Sequence, residues 1–529
     1  MAAARVAFEL EYPAGVPAIG PSMSWPLASA GGSTPSGEGG SACCVQHSWH
    51  VANRTSNASI VTHLVRDWTE KSRQSVAEIL AAATPTSGTF AGTVFSMVKQ
   101  ILGSGVLSMG DAYKFGSIGP GLLVFYSIGI VCLLTMLLVA ELSELHEASS
   151  YRDLWARTVN ARSASLVDIC IFLNSVFGCI SYCLLIGSWL TQSLKNLLGS
   201  AFSLKALNTA LVAIPLFVMV LQKDLYAFRN SSVVGVVCVF WGLSFVLWQL
   251  CMHWTDDDMA SRQCGPIAGA NCTSAEVLHG YIWNPSWDIL ETVNLGAGML
   301  MMHYNIPKFQ SEYSSSNSKS FRLAIITAFT ISTTFATTLG IAAILRFGTG
   351  MPSGNVLKHF EQQFTEIGGD GEPIMSKGEQ YVTNITWLIM AASIIMSFPL
   401  LFLPMRSSFL QLCRSMCLPG IPTLEKLEPS THMAITFGLM VPLVIAGICI
   451  DSLTTVSKLK GAICGMSVSL MLPAVMKICD VRKQNRLNGR TIQFTFNVFL
   501  PLSFIFLVGL SLMFFGVTKT VASAFAKKD

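Results

Sequence analysis

The stretch GTVFSMVKQILGSGVLSMGDAYKF, from Gly92 to Phe115, decides the fold of this chain. It is apolar and longer than the roughly 20 residues that cross a membrane, yet Gly103, Ser104 and Gly105 stand in its middle. Each glycine weakens a helix by about 1 kcal/mol relative to alanine. Backbone inside a bilayer must satisfy its own hydrogen bonds, so a broken helix persists there only beside protein or a water-filled cavity. The stretch therefore predicts a broken membrane helix that faces a cavity.

A second glycine pair lies in the other half of the chain. It interrupts WDILETVNLGAGMLMMHY, where Gly296, Ala297 and Gly298 follow one another. Two glycine-broken segments in corresponding positions of two halves are typical of a transporter, and they indicate its substrate site. The alternative explanation is that both runs are faces of small residues where membrane helices pack closely.

The whole chain is too apolar for a soluble protein of 529 residues, because 51% of its residues are hydrophobic and only 12% are charged. Its mean hydropathy is +0.53. These values predict an all-α polytopic protein embedded in a lipid bilayer, and the small net charge of +4 gives no indication of a nucleic-acid partner. Eleven segments meet or approach the length of a membrane helix, and we place them at 92–115, 120–140, 165–190, 207–221, 232–252, 287–304, 323–345, 381–403, 433–450, 453–478 and 496–517.

Three regions follow from this pattern. Residues 1–89 contain a stretch rich in Gly, Pro and Ser and predict a largely disordered tail. Residues 90–518 would form the eleven-helix transporter domain, and 519–529 a short C-terminal tail. Basic residues concentrate in the loops that share a side with the N-terminus, which predicts that this side is cytosolic. The membrane itself, plasma membrane or a vacuolar or lysosomal type, and the oligomeric state stay open.

Two of the opposite, outer loops contain sites of covalent modification. Cys264 and Cys272 lie in one loop, where an oxidising compartment would favour a disulfide. The same loop contains a glycosylation sequon at Asn271, and a second outer sequon begins at Asn384. The remaining cysteines show no C-x-x-C spacing, so we expect no metal site.

The broken helices would supply the substrate chemistry. A break exposes backbone N–H groups at the start of its outer half and carbonyls at the end of its inner half. The amides from Gly103 to Val106 would bind a carboxylate, and carbonyls between Gly296 and Met301 would accept from an ammonium group. A carboxylate beside an ammonium group describes an amino acid.

Several stretches resemble one family, the amino acid/auxin permeases, which include the sodium-coupled neutral amino acid transporters. MVKQILGSGVLSMGDAYKFG is similar to the first helix of that family and HYNIPKF to its sixth. SYRDLW with VDICIFLNSVFGCISYCLLIGSWL resembles the third helix, SFPLLFLPMRSSFLQ the eighth, and SKLKGAICGMSVSLMLPAVM the tenth. The resemblance implies a LeuT-type inverted 5+5 helix repeat plus an eleventh helix, with alternating access around a midplane site that Asn174 and Tyr182 would help to wall.

Four polar residues are candidates for ion coupling. Lys99 departs from the family, which commonly has Asn there; a fixed ammonium should face a cavity, where it would replace a coupling sodium or titrate. Alternatively, Lys99 snorkels toward the cytosolic vestibule. Ser393 and Ser397 would offer oxygens to sodium, as the matching helix does in LeuT-type proteins, or bond back to their own helix. His303 would carry a proton or make a structural hydrogen bond.

The sequence contains no Walker P-loop, no potassium-channel filter and no catalytic signature, so we expect neither an ATP-driven pump nor an enzyme. We predict a secondary active transporter of amino acids, driven by a proton or sodium gradient and without a cofactor. Two alternatives remain: an amino-acid-sensing receptor that uses the same cleft and signals through the N-terminal tail, and a carrier of other amine solutes.

Overall fold

A computed structural model of the chain describes residues 88–199, 202–221, 231–252, 282–284, 286–313, 318–347, 355–363, 375–416, 428–450, 452–487 and 493–526. The regular structure in these ranges is helical. Eight helices among them are long and apolar enough to cross a membrane, and a pair of shorter helices bent by 47° would form a ninth crossing. Residues 1–87 of the predicted tail lie outside the described ranges.

The first half of the described chain contains seven α-helices, two of which flank the first glycine pair. They are α1 (Phe90–Ile101), α2 (Met109–Gly116), α3 (Ile118–Leu145), α4 (Tyr151–Thr158), α5 (Ser165–Leu198), α6 (Lys205–Val220) and α7 (Ser231–Met252). The second half contains nine, which are α8 (Ile289–Met299), α9 (Ile306–Glu312), α10 (Ser318–Phe347), α11 (His359–Gln363), α12 (Lys377–Met416), α13 (Pro429–Cys449), α14 (Leu453–Lys460), α15 (Leu472–Leu487) and α16 (Gln493–Ala526).

The first break falls where the sequence predicts it. Thr89 begins α1, because its hydroxyl accepts from the Gly92 amide at 3.2 Å and so satisfies one of the first free N–H groups of the helix. α1 ends at Ile101, and after Gly103 the chain forms a 3₁₀ turn over Ser104–Ser108 before α2 begins. The glycines thus separate two half-helices with different axes.

The second break lies later than predicted. α8 continues through Gly296, Ala297 and Gly298, and the chain leaves the helix only at Leu300. The glycines are there for close packing instead: a Cβ on Gly298 would stand 2.8 Å from the Gly461 Cα, and a Cβ on Gly296 would stand 3.1 Å from Phe125. The prediction of a break at Gly296 is therefore wrong in position, and small-residue packing explains this run.

Two long elements carry the core. α12 packs along α5 over most of its length, and it passes through Pro399 and Pro404 without ending. α14 and α15 are joined by two π-helical turns, Gly461–Gly465 and Ser467–Met471. The first turn brings Gly461 against the Asn294 carbonyl of α8, which leaves no room for a side chain there.

The eleven predicted segments all fall on described helices, but the bounds of the helices differ from the predicted ones. α6 is 16 residues long, shorter than a typical crossing, and the sixth segment is interrupted after Met299. The 5+5 arrangement with an eleventh helix therefore stays a prediction. α16 continues past residue 518 to Ala526, and Lys519 on it pairs with Asp288 at 2.5 Å.

Candidate functional site

A cavity of about 800 Å³ lies between the two breaks. Backbone of the first break lines it at Gly103, Ser104 and Gly105, and the end of α8 lines it at Gly298 and Met299. It continues along α4 and the last turns of α12, where it is lined by Ser150, Arg152, Ser407, Ser408 and Gln411. These residues belong to the side that the sequence predicts to be cytosolic.

The opposite side of the breaks is closed by apolar and polar contacts. Val106 and Leu107 are buried and, with Val239 and Phe335, line a small apolar gap. Polar side chains of α14 contact the two outer half-helices nearby. They are Thr454, which donates to Asp111; Ser457, whose Oγ lies 3.4 Å from Ser108 Oγ; and Lys458, which pairs with Glu291. Among the described residues, the cavity therefore opens only toward α4 and the last turns of α12.

Free backbone donors face the cavity at the first break. The Val106 amide donates to the Gly103 carbonyl at 3.3 Å, whereas no described group accepts from the amides of Gly103, Ser104 and Gly105. Unpaired N–H groups at the start of a helical turn carry partial positive charge. This edge of the cavity can bind an anion.

Free backbone acceptors face it at the second break. The last helical bond of α8 runs from the Leu300 amide to the Gly296 carbonyl at 2.9 Å. In the part of the chain that the structure describes, no backbone N–H donates to the carbonyls of Gly298 and Met299, two residues that line the cavity. The end of α8 therefore presents partial negative charge, and it can accept from a cationic donor.

Polar side chains complete the wall. Asn174 of α5 lines the cavity with 2% of its surface exposed, and its Oδ1 has no hydrogen-bond partner among the described residues. Tyr182 lies eight residues after Asn174 on α5 and places its hydroxyl beside Gly103. Tyr304 accepts from Gln100 Nε2 at 3.0 Å. A buried amide oxygen without a partner is costly unless a ligand or water satisfies it.

Lys99 turns inward instead of reaching the surface. Its Nζ donates to Ser393 Oγ of α12 at 2.9 Å, and Ser393 Oγ donates in turn to the Gly235 carbonyl of α7 at 3.3 Å. Only 8% of Lys99 is exposed, and a side chain at Gly235 would overlap the ammonium. The snorkelling alternative for Lys99 is therefore disfavoured. Ser397 Oγ donates to the Ser393 carbonyl of its own helix at 2.7 Å, which matches the alternative that this serine bonds back to its helix.

The structure brings most of the predicted site residues together and separates a few. The cavity is lined by seven of the ten predicted substrate residues, which are Gly103, Ser104, Gly105, Asn174, Tyr182, Gly298 and Met301, and by Lys99 and Ser397. Val106, Gly296 and Ala297 do not line it. Val106 points into the closed side, Gly296 packs on Phe125, and Ala297 packs on Gly465.

His303 also lies away from the cavity wall. It is fully buried, with Nε2 2.9 Å from Thr135 Oγ1 and 3.1 Å from the Cys132 carbonyl oxygen. These contacts match the structural alternative for His303, because they tie the second break to α3. Its role as a proton carrier stays a prediction.

Of the residues predicted to be covalently modified, Asn384 lies in the described part of the chain. Asn384 is 6% exposed; its Nδ2 donates to the Gln380 carbonyl at 2.9 Å, and its Oδ1 accepts from Asn196 at 3.0 Å. A glycan on this nitrogen would require the buried side chain to become accessible, so glycosylation of Asn384 stays a prediction. Cys264, Asn271 and Cys272 lie outside the described residues.

Among the cavity residues that the sequence reasoning missed are three polar or charged ones close to predicted elements, Gln100, Tyr304 and Lys460. Gln100 and Tyr304 stand next to predicted residues in the two broken segments, and Lys460 ends α14 beside the π-helical turn. The available signal was a polar or charged side chain inside an apolar segment, which is a functional candidate by default. Pairing Gln100 with Tyr304 required the fold, because 204 positions separate them.

A family model described as transmembrane amino acid transporter protein matches residues 86–522 of the chain. A Toxoplasma gondii protein whose name designates an amino acid transporter, AAT1, is 21% identical over 62% of this chain and 41% of its own length. The amino acid transporter AVT1B of Arabidopsis thaliana is 22% identical over 75% of this chain and 65% of its own. The chain thus spans less than two thirds of either relative.

A solved structure has the same fold. It is the crystal structure of MhsT in complex with L-phenylalanine, which superposes with a TM-score of 0.53 at 13% identity and covers 80% of this chain and 98% of MhsT. The predicted LeuT-type fold is confirmed by this likeness, since MhsT is a LeuT-fold transporter. At this identity the likeness concerns the fold alone.

Proposed function

Because the chain belongs to the family of transmembrane amino acid transporter proteins, we propose that it carries amino acids across a membrane as a secondary active transporter. The protein would be an integral multipass membrane protein with its N-terminus in the cytosol. Its membrane would be the plasma membrane or one of vacuolar or lysosomal type. It would need no cofactor besides the coupling ion.

One observation carries the proposal: opposite backbone charges face one cavity. The unpaired amides at Gly103, Ser104 and Gly105 suit the substrate carboxylate, and the unpaired carbonyls at the end of α8 suit its ammonium group. Asn174 adds a buried acceptor without a partner among the described residues. A zwitterionic head group satisfies both edges at once, which explains why two breaks meet at one place.

Alternating access would follow from the closed outer side. Three polar contacts connect α14 to α2, to the 3₁₀ turn and to α8, and they join Asp111 with Thr454, Ser108 with Ser457, and Glu291 with Lys458. In the outward-open state these contacts would separate while the mouth near Arg152 and Gln411 closes. The present one-sided cavity supports an inward-facing state.

Lys99 would determine the coupling ion. Its ammonium occupies the space between α1, α7 and α12 and takes the hydroxyl of Ser393, one of the two serines that would otherwise offer oxygens to sodium. Cations of like charge compete for one set of oxygen ligands. We propose that the lysine replaces sodium, so that transport is independent of sodium and a proton gradient drives it.

The proposal is tested by uptake into proteoliposomes that contain the purified protein. A panel of labelled amino acids is offered under an imposed proton gradient and, separately, under a sodium gradient. We expect concentrative uptake with the proton gradient, abolished by a protonophore. Saturable binding without uptake under either gradient would contradict transport and would favour the receptor alternative, provided that the reconstituted protein is folded.

A further inference from the structure

The cavity wall has an excess of positive charge. Four basic residues line it, Lys99, Arg152, Lys308 and Lys460, against two acidic ones, Asp168 and Glu312. Asp168 is already paired, with Arg152 at 3.2 Å. A cavity lined by one sign of charge concentrates ligands of the opposite sign.

Lys460 differs from the neighbouring lysines in its partners. Lys99 donates to Ser393, and Lys458, two residues before Lys460, pairs with Glu291. Among the described residues, no carboxylate and no hydrogen-bond acceptor contacts the Lys460 ammonium. The Cys464 and Cys179 thiols are close enough to interact electrostatically with the Lys460 ammonium.

An ammonium without a counter-ion is unfavourable at this depth. Charged side chains inside membrane proteins usually pair with each other or face a water-filled cavity, and Lys460 lines the cavity without an acidic partner among the described residues. Lys460 ends α14 and is followed by Gly461, which packs on Gly298 at the second break. The fold thus places a lysine without a counter-ion beside the substrate site.

Lys460 and the free amides of Gly103, Ser104 and Gly105 line the same cavity. Cys179, which is within electrostatic range of Lys460, stands three residues before Tyr182, whose hydroxyl lies beside Gly103. Residues three apart on a helix are neighbours, about 5–6 Å between Cβ atoms. The two anion-binding groups therefore lie along one face of α5.

We propose that Lys460 binds a second carboxylate of the substrate, so that the transported class is acidic amino acids. This inference rests on the proposed function, because the first carboxylate is the one held at Gly103, Ser104 and Gly105. The excess of basic residues in the cavity wall also favours an acidic substrate. A neutral amino acid would leave the lysine without a counter-ion.

The test compares L-glutamate with L-glutamine, which differ by one charge and hardly in size. Uptake into proteoliposomes is measured for the wild type, Lys460→Met, Lys460→Arg and the control Lys477→Met, whose lysine on α15 pairs at 2.8 Å with Glu141 of α3. We expect the wild type to prefer glutamate at least about tenfold, equivalent to about 1.4 kcal/mol. Lys460→Met should lose that preference with glutamine uptake retained, whereas Lys460→Arg and the control keep it.

Two outcomes would overturn the inference without contradicting transport. The first is equal uptake of glutamate and glutamine by the wild type. The second is an equal decrease in the uptake of both substrates by Lys460→Met, which would mean that Lys460 binds the carboxylate common to all amino acids. If Lys460→Met does not fold, the inference is tested by the ratio of glutamate uptake to glutamine uptake in the wild type and in Lys460→Gln. If the wild type transports no amino acid, the proposed function fails, and thermal stabilisation by glutamate over glutamine still tests the lysine.

Discussion

A Cβ on Gly105 would stand 3.4 Å from the Met299 Cα and equally close to the Met299 Cβ. The two breaks therefore touch each other through backbone, with no side chain of the first break between them. Free amides of one break and free carbonyls of the other consequently line the same cavity. A methyl group at position 105 would be in ordinary van der Waals contact with Met299, whereas a larger side chain would have to displace it.

Gly105→Val should abolish uptake while the protein is still expressed. The valine would push against Met299, and overpacking of this kind costs about 1–3 kcal/mol. If that cost falls on the ligand-bound state, uptake declines roughly 10- to 100-fold. The measurement is uptake by proteoliposomes at equal amounts of folded protein.

Gly438→Val is the matched control for this substitution. Gly438 lies in α13 with no atom within 4 Å of an added Cβ, so we expect nearly wild-type uptake from it. Wild-type uptake by Gly105→Val as well would mean that the first break is a packing feature without a ligand. Gly105→Ala, at ordinary contact distance, should retain part of the activity.

Lys99→Asn should change the ion requirement. Uptake by the wild type is expected to be equal in sodium and in choline buffer, because the ammonium stands where sodium would bind. The substitution removes a charge-assisted hydrogen bond to Ser393, a loss of about 1.5–3 kcal/mol. We expect at least about tenfold lower uptake without sodium, restored in part when sodium is added.

Lys477→Asn, at the surface, controls for the loss of a lysine elsewhere in the chain. A sodium requirement in the wild type would count against the role of Lys99. So would intact uptake by Lys99→Asn with an unchanged ion requirement, since the lysine would then serve neither as a replacement for sodium nor as a titrating group.

The sequence predicted the fold well because membrane helices are local features. Length and apolar composition located the segments, and the glycine pair at Gly103 and Gly105 located the first break. The same reasoning misplaced the second break, since Gly296 and Gly298 serve packing against Phe125 and Gly461. A glycine can break a helix or allow a neighbouring helix to pack closely against it. Which of the two occurs depends on the residues that lie next to it in the fold, and a single sequence does not contain that information.

The site was predicted less completely than the fold. Backbone groups at Gly103 and Gly105 were identified, because a broken helix always exposes amides. The orientation of side chains could not be predicted from the sequence. Val106, for example, directly follows the break and yet points away from the cavity. Contacts between distant positions, such as Lys99 with Ser393, depend on helix rotation, which a single sequence does not contain.

Gly298→Ala should destabilise the protein. The new methyl group would stand 2.8 Å from the Gly461 Cα and 3.0 Å from its amide nitrogen, and both are backbone atoms that cannot rotate away. We expect a loss of about 1–3 kcal/mol, measured as a lower temperature of unfolding in detergent. Gly378→Ala, with no atom within 4 Å of the added Cβ, should unfold at or above the wild-type temperature. Equal effects of both would show that α8 and the π-helical turn are not in close contact.

The ion pair between Glu291 and Lys458 joins α8 to α14 on the closed side of the cavity, with 7% and 10% of the two side chains exposed. Glu291 also lies 3.7 Å from Lys519. Removing one partner of a buried pair costs about 3–5 kcal/mol, because the other charge loses its compensation. Glu291→Gln takes the carboxylate from two lysines, whereas Lys458→Met leaves Glu291 next to Lys519.

We therefore expect Glu291→Gln to lower the stability more than Lys458→Met. The double variant should lose less free energy of unfolding than the two single variants lose together, since neither charge of the pair is then left without its partner. Arg322→Met is the control, because its pair with Glu144 is exposed at 45% and 42% and should contribute at most about 1 kcal/mol. Additive effects in the double variant would mean that the two side chains do not interact, and the closed outer side would then depend on the apolar contacts of Val106 and Leu107 instead.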